Sequence, residues 1–165
     1  MTTYVATTLS QVPNVPAVYA LYGGRGRTSH VAYVGVTDKL RQRISQHLVR
    51  RDSSVVTGVS VVSLDPNLVR EVCWWEHSSF AHPTHVLAAE SIAFDVLEPI
   101  LRSRDAVEAG SRALAADAAF AGPIRALFAG EPSGRMLIPT LQDAMERIAA
   151  LENRLAALER KLGDR

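Results

Sequence analysis

A single cysteine, Cys73, in 165 residues has nothing to pair with, so no disulfide framework within the chain carries the fold. A surplus of either charge is also missing: 18 Lys and Arg stand against 17 Asp and Glu, for a formal net charge of +1. Attraction to a polyanion must therefore come from local clusters of cations. No uninterrupted apolar run reaches the roughly 18–20 residues that a membrane-spanning helix needs, so no membrane span is expected. The opening MTTYVATTLS has neither the basic start nor the apolar stretch of a secretory signal, which makes a cytoplasmic location the expectation. No zinc finger or helix-turn-helix offers sequence-specific base contacts. What is present is core material: 47% of the chain is hydrophobic, enough for one domain with something added.

The apolar residues are ordered. Residues 15–22, VPAVYALY, read as a strand entered through proline, and VAYVGV at 31–36 reads as a second. The glycine-rich GGRGRTSH between them is expected to turn an antiparallel hairpin, with Arg25 and Arg27 as candidate DNA-backbone contacts. A phosphate-binding glycine loop would open a helix, whereas here a strand follows. Thr37 or Asp38 is placed to cap the next helix. In it, Leu40, Ile44 and Leu48 recur at i, i+4 and i+8 as a buried stripe, and Arg43, His47 and Arg50 fall on another face. Residues 55–64 are β-rich and read as an inserted strand. VREVCWWEH at 69–77 reads as a third strand of the sheet, with Trp74 and Trp75 on opposite faces. A helix over 85–101 should end near Pro99.

Composition changes beyond residue 102. An alanine-rich helical connector over 103–138, broken at GEPSGR, leads to a regular helix over 139–165. The expectation is an α/β (α+β) protein: a small antiparallel three-stranded sheet flanked by helices in residues 1–102, then the connector, then a coiled-coil helix.

The motifs Ala17-Val18-Tyr19 and Tyr33-Val34-Gly35 resemble those of the GIY-YIG nuclease superfamily. Arg43, ten residues beyond Tyr33, and His47, four further on, match the family's spacing, as do Glu90 and the proline nine residues after it, Pro99. The resemblance covers about residues 13–102. It departs at Ala17, where the family has glycine, and at Arg102, where the family often has asparagine. It implies a divalent-metal-dependent DNA endonuclease, with Tyr19, Tyr33, Arg43, His47 and Glu90 as catalytic residues. Glu90 would hold Mg²⁺ or Mn²⁺, and one of the tyrosines, Tyr19 by expectation, would orient or deprotonate the attacking water.

The chemistry of the residues is compatible with this. Phosphodiester hydrolysis needs an activated water and stabilisation of charge on the phosphoryl oxygens. A guanidinium such as Arg43 matches phosphate geometry. Mg²⁺ keeps several waters and is content with one or two carboxylates plus a substrate phosphate. Arg50 and Arg51 are candidate contacts for the flanking DNA strand. Each residue also has an ordinary reading: strand tyrosines pack, cations such as Arg41 are solvated, and Glu90 sits in a helix's first turn, where the dipole favours it. Against the last, Glu90 shares its helical face with Phe94, Leu97 and Leu101, where an unpartnered carboxylate has a desolvation cost. Cys73, His77, His82 and His85 form a rival zinc set, but their spacing fits no standard site. The competing function is a noncatalytic DNA-binding or assembly protein that keeps the fold, a reading supported by Arg102.

The terminal helix carries a heptad pattern. With Leu141, Ile148, Leu155 and Leu162 at a, and Ala144, Leu151 and Leu158 at d, it has the 3.5-residue period of a left-handed coiled coil. Position g holds Arg147, Arg154 and Lys161, while e holds Met145, Glu152 and Glu159. A homodimer through Leu141–Leu162 is expected, against the ordinary reading of a helix folded back onto its own domain.

Overall fold

A computed structural model describes residues 3–23, 30–50, 56–57, 60–61, 68–101, 108–139 and 141–163. In chain order the elements are β1 (Tyr4–Ala6), β2 (Ala17–Gly23), β3 (His30–Thr37), α1 (Leu40–Ser45), a π-helical turn (Gln46–Arg50), β4 (Val56–Thr57), β5 (Ser60–Val61), β6 (Val69–Trp75), α2 (Pro83–Leu97), α3 (Ala109–Ala116), α4 (Ala118–Ala129), β7 (Gly134–Leu137) and α5 (Leu141–Gly163). The α/β class expected from sequence holds, but the sheet has five strands, not three, in the order β1-β7-β6-β2-β3.

The three expected strands form its antiparallel centre, with β2 between β3 and β6. The correction comes from the glycine-containing break. Gly134–Leu137 pairs antiparallel with β6, and β1 then adds in parallel to β7. Strands of three or four residues hold too little alternation to be recognised locally, so long-range pairing decides them. Val56–Thr57 and Ser60–Val61 form a separate two-stranded ribbon within the segment read as an insertion.

As the central strand, β2 is buried on both faces and reads as a nearly continuous apolar run. Its alternation divides the core. Ala17, Tyr19 and Leu21 point to one side, with Tyr33, Val72, Trp74 and the α1 residues Leu40 and Ile44. Val18 and Ala20 point to the other, with Val34, Cys73 and Trp75, beneath Ala89, Ile92 and Ala93 of α2 and Ile124 and Phe128 of α4. The two tryptophans thus fall on opposite faces, as adjacent strand residues must.

Two helix starts differ from expectation. Lys39, not Thr37 or Asp38, occupies the cap position of α1 and its own side chain makes no capping bond, while Asn14 Oδ1 accepts the Gln42 N–H at 3.4 Å. Thr37 Oγ1 instead accepts the Lys39 N–H at 3.0 Å and secures the turn before the helix. Helix α2 begins at Pro83, whose fixed φ suits a first turn. It ends at Glu98, which takes a left-handed conformation (φ 47°, ψ 55°) before Pro99 stops the helix. The chain then runs along the edge of β3, where the N–H groups of Ile100 and Leu101 donate to the carbonyls of Val31 and Ala32, each at 3.0 Å. The alanine-rich connector divides at Asp117, whose carboxylate accepts the Ala119 N–H at 3.0 Å and caps α4. Among the described residues, no helix is long and apolar enough to cross a membrane.

Candidate active site

Tyr19 and Tyr33 reach the same side of the sheet because they sit on neighbouring strands in a fixed register. Tyr19 pairs with Gly35, and Leu21 pairs with Tyr33, so the two tyrosines are diagonal neighbours on one face. Their ring centroids lie 6.1 Å apart. Gly35 is required by this arrangement: a Cβ there would lie 2.7 Å from Tyr19 Oη and 2.8 Å from Tyr33 Cε1.

The helical segment behind β3 supplies the other two groups. Leu40 and Ile44 anchor it in the core, with Leu48 packed against the same cluster. The expectation that His47 shares a cationic outer face with Arg43 and Arg50 is corrected. His47 is fully buried. His47 stands at i+7 from Leu40 and i+3 from Ile44, so ordinary helical spacing already sets it on the same inner face, and from Gln46 the segment continues as a π turn. The imidazole lies 5.7 Å from the Tyr19 ring and 5.8 Å from the Tyr33 ring, and its Nε2 is 2.7 Å from Tyr19 Oη.

Arg43 is half-buried, and Gln46 Oε1 accepts one of its guanidinium hydrogens at 3.3 Å. Burial works against the Arg43 charge, but the two tyrosine hydroxyls more than offset that, so its pKa is raised. In return Arg43 favours the phenolate forms of both tyrosines without overcoming their surroundings. Tyr19 stays raised well above the usual tyrosine value, chiefly through burial and then through Tyr33. Tyr33 is raised by burial and by the Glu90 carboxylate. His47 is pushed down to about 4, first by burial and then by Arg43. At neutral pH the site therefore holds two phenols, a neutral imidazole and a guanidinium. Tyr19 Oη and His47 Nε2 share one hydrogen bond, whose donor is set by the imidazole tautomer. Among the described residues, His47 Nδ1, also buried, has no hydrogen-bond partner.

Glu90 lies well inside α2, not in its first turn as the dipole reading supposed, and is partly buried. Its effect on Tyr33 brings it into the same electrostatic group. Glu90 is thus joined through Tyr33 to the group formed by Tyr19, Arg43 and His47. Arg25, Arg27, Arg51 and Arg102 lie outside the described residues, and of Arg50 only the backbone is described.

An open groove of about 350 Å³ runs beside Arg43, lined also by Val36, Thr37, Asp38, Lys39, Gln42 and Gln46. Sequence reasoning passed over Lys39, Gln42 and Gln46. The i, i+3 spacing of Arg43 and Gln46 was the available signal. Arg41, read as solvated, donates from Nε to the Val12 carbonyl at 2.6 Å and ties α1 to the preceding loop.

No protein-family model, curated protein or solved structure matches this chain. Among the described residues, no group of three or more His, Cys, Asp or Glu side chains converges as a metal site. The rival zinc set is used otherwise: His77 Nδ1 lies 2.7 Å from Ser79 Oγ, His85 stacks edge-on against Phe120, and the buried Cys73 thiol donates to Glu71 at 3.6 Å.

Proposed function

We propose that the chain is a divalent-metal-dependent DNA endonuclease of GIY-YIG type, hydrolysing phosphodiester bonds at Arg43 beside the groove. The observation that carries this reading is the joining of Tyr19, Tyr33, Arg43 and His47, chosen from three separate sequence segments, into one hydrogen-bonded and charge-coupled group.

Exposure divides the roles. Tyr19 and His47 are wholly buried, Tyr33 retains 7% exposure, and Arg43 borders the groove. Arg43 grips the scissile phosphate and offsets the charge that develops on its oxygens. Of the two tyrosines, Tyr33 is the less buried, and on this reading its hydroxyl meets the attacking water in the place first expected for Tyr19. Tyr19 and His47 stand behind it as a proton path. As the water loses its proton to Tyr33 Oη, the Tyr33 proton passes to Tyr19 Oη and the Tyr19 proton passes to His47 Nε2. The free imidazole is a weak acceptor with its pKa near 4, and an anionic phosphodiester beside Arg43 raises it.

Glu90 fits a Mg²⁺ or Mn²⁺ site of the kind that needs only one protein carboxylate, since substrate phosphate and water complete the shell. Glu90 would be the residue that holds the cation, whose charge would favour the Tyr33 phenolate and offset charge on the phosphoryl oxygens.

The test is cleavage of plasmid and oligonucleotide DNA with Mg²⁺ or Mn²⁺ by wild type and Glu90→Gln. Metal-dependent cleavage that the variant loses is the expected result. Equal behaviour of the two would sink the reading. The second reading, a noncatalytic DNA-binding or assembly protein, is favoured by the complete burial of Tyr19 and His47, which a purely structural aromatic cluster would also show. DNA binding without cleavage by either protein would select it.

A further inference from the structure

We infer that α5 is one strand of a parallel, two-stranded coiled coil whose other strand is α5 of a second copy of this chain. The 23-residue helix leaves its apolar seam uncovered: Ile148, Leu151, Leu155 and Leu158 are 51–58% exposed, and Leu162 is 72% exposed. The fold-back alternative would have buried these side chains, and it does not occur. A row of large aliphatic side chains at a and d, repeated over about three heptads, is the surface that a second helix covers by knobs-into-holes packing.

The flanking charges select the occupant and its direction. In a parallel pair, g of one helix meets e of the partner's following heptad. Arg147 then faces Glu152 of the other copy, and Arg154 faces Glu159, and symmetry makes each pair twice. In an antiparallel pair g meets g and e meets e, which would set Arg147, Arg154 and Lys161 against their own kind and Glu152 and Glu159 against theirs. The same helix is therefore self-complementary in one direction and self-repelling in the other.

Direction matters for the rest of the molecule. Only residues 138–140 separate β7 from α5, so each sheet is tied closely to the start of its helix. A parallel coil holds both domains at one end, whereas an antiparallel coil would separate them along a rod about 35 Å long. On the endonuclease reading, the parallel form brings two single-strand sites to one end, as cutting both strands of a duplex requires.

The experiment uses the full chain and reads mass and cross-linking, not cleavage, so it stands apart from the catalytic reading. Light scattering at micromolar concentration is expected to give twice the chain mass, falling to the monomer in Leu151→Lys/Leu155→Lys. Leu158→Cys, at a d position, is expected to form an interchain disulfide under mild oxidation, since a parallel coil sets the two copies of residue 158 side by side. Arg147→Glu/Arg154→Glu should weaken association by about tenfold or more, and adding Glu152→Arg/Glu159→Arg should restore it. A monomeric or trimeric wild type overturns the proposal. So does a dimer that survives the double lysine variant, that does not cross-link through residue 158, or that ignores the charge reversals.

Discussion

Tyr19 lies over Gly35, its partner on the adjacent strand, and the space that a side chain at Gly35 would occupy is filled by the rings of Tyr19 and Tyr33. The same device recurs two strands away, where Trp74 lies over its partner Gly134. A glycine in a strand sacrifices packing and adds backbone entropy in the unfolded chain, and here an aromatic ring from the neighbouring strand fills the gap. The two positions have different consequences. The Trp74 ring helps hold β6 to β7, while the Tyr19 ring aims a hydroxyl at His47.

Gly35→Ala is therefore expected to push both tyrosine rings out of place and lower stability by about 1–3 kcal/mol, the usual cost of overpacking. Cleavage should fall more than stability predicts, because the Tyr19–His47 bond is displaced. Gly134→Ala should also destabilise the fold but spare cleavage at temperatures where the variant is folded. Urea denaturation and cleavage rates measured on both variants check this. An unaffected Gly35→Ala protein would show that the rings have room to move.

Tyr19→Phe keeps the ring and removes the hydroxyl at 2.7 Å from His47 Nε2. Because Nδ1 has no partner among the described residues, both imidazole nitrogens would then be buried without one. The expected cost is about 1–3 kcal/mol of stability. On the proposed proton path the cleavage rate falls by about 10²-fold or more, with little change in DNA affinity. Near-normal cleavage would remove Tyr19 from the path and leave it as packing.

His47 links the site to pH. Its pKa is about 4 in the folded protein against an ordinary 6.5, so the folded state holds it neutral. Above about pH 6.5 both folded and unfolded chains carry it neutral and its contribution is complete. As pH falls towards 4, the unfolded chain gains the proton first and stability is lost, by up to about 3 kcal/mol once both states are protonated. His47→Phe should remove that part of the acid dependence. Thermal melts between pH 4 and 8 should show a steeper acid-side loss in wild type than in the variant. Parallel curves would mean that the buried imidazole does not titrate as its surroundings dictate.

The parts of the fold legible in the sequence were those written in short-range pattern. The strands around Tyr19, Tyr33 and Trp74 and the Leu40–Ile44 stripe follow from alternation and helical spacing. The residues β1 and β7 contribute no such pattern, since Tyr4–Ala6 and Gly134–Leu137 become strands only by pairing with distant partners. The members of the site were selected by spacing, but their order of burial was not. His47 stands at i+7 from Leu40 and i+3 from Ile44, so its inward position was present in the spacing but was passed over by grouping it with Arg43 and Arg50. The consequence is chemical: a histidine grouped with the cations of the helix is hydrogen-bonded to Tyr19 in the interior, and Tyr33 is the less buried of the two tyrosines.

Glu90 provides a test of that arrangement that needs no DNA. Its carboxylate is the second cause, after burial, of the raised Tyr33 pKa, while Arg43 opposes it. Glu90→Gln removes the negative charge and keeps the side-chain shape, so Tyr33 should ionise at a lower pH than in wild type. A divalent cation bound at Glu90 acts in the same direction by neutralising the carboxylate, so Mg²⁺ should lower the Tyr33 pKa in wild type and leave Glu90→Gln unmoved. Tyr19 should respond less to either change, because Glu90 is not among the groups that set its ionisation. Carbon-labelled tyrosine ring signals, followed by NMR through alkaline titration with and without Mg²⁺, separate the residues. A Tyr33 signal unmoved by Glu90→Gln would detach Glu90 from the site. A Tyr33 that moves with the substitution but not with Mg²⁺ would keep Glu90 as an electrostatic neighbour and remove it as the metal ligand.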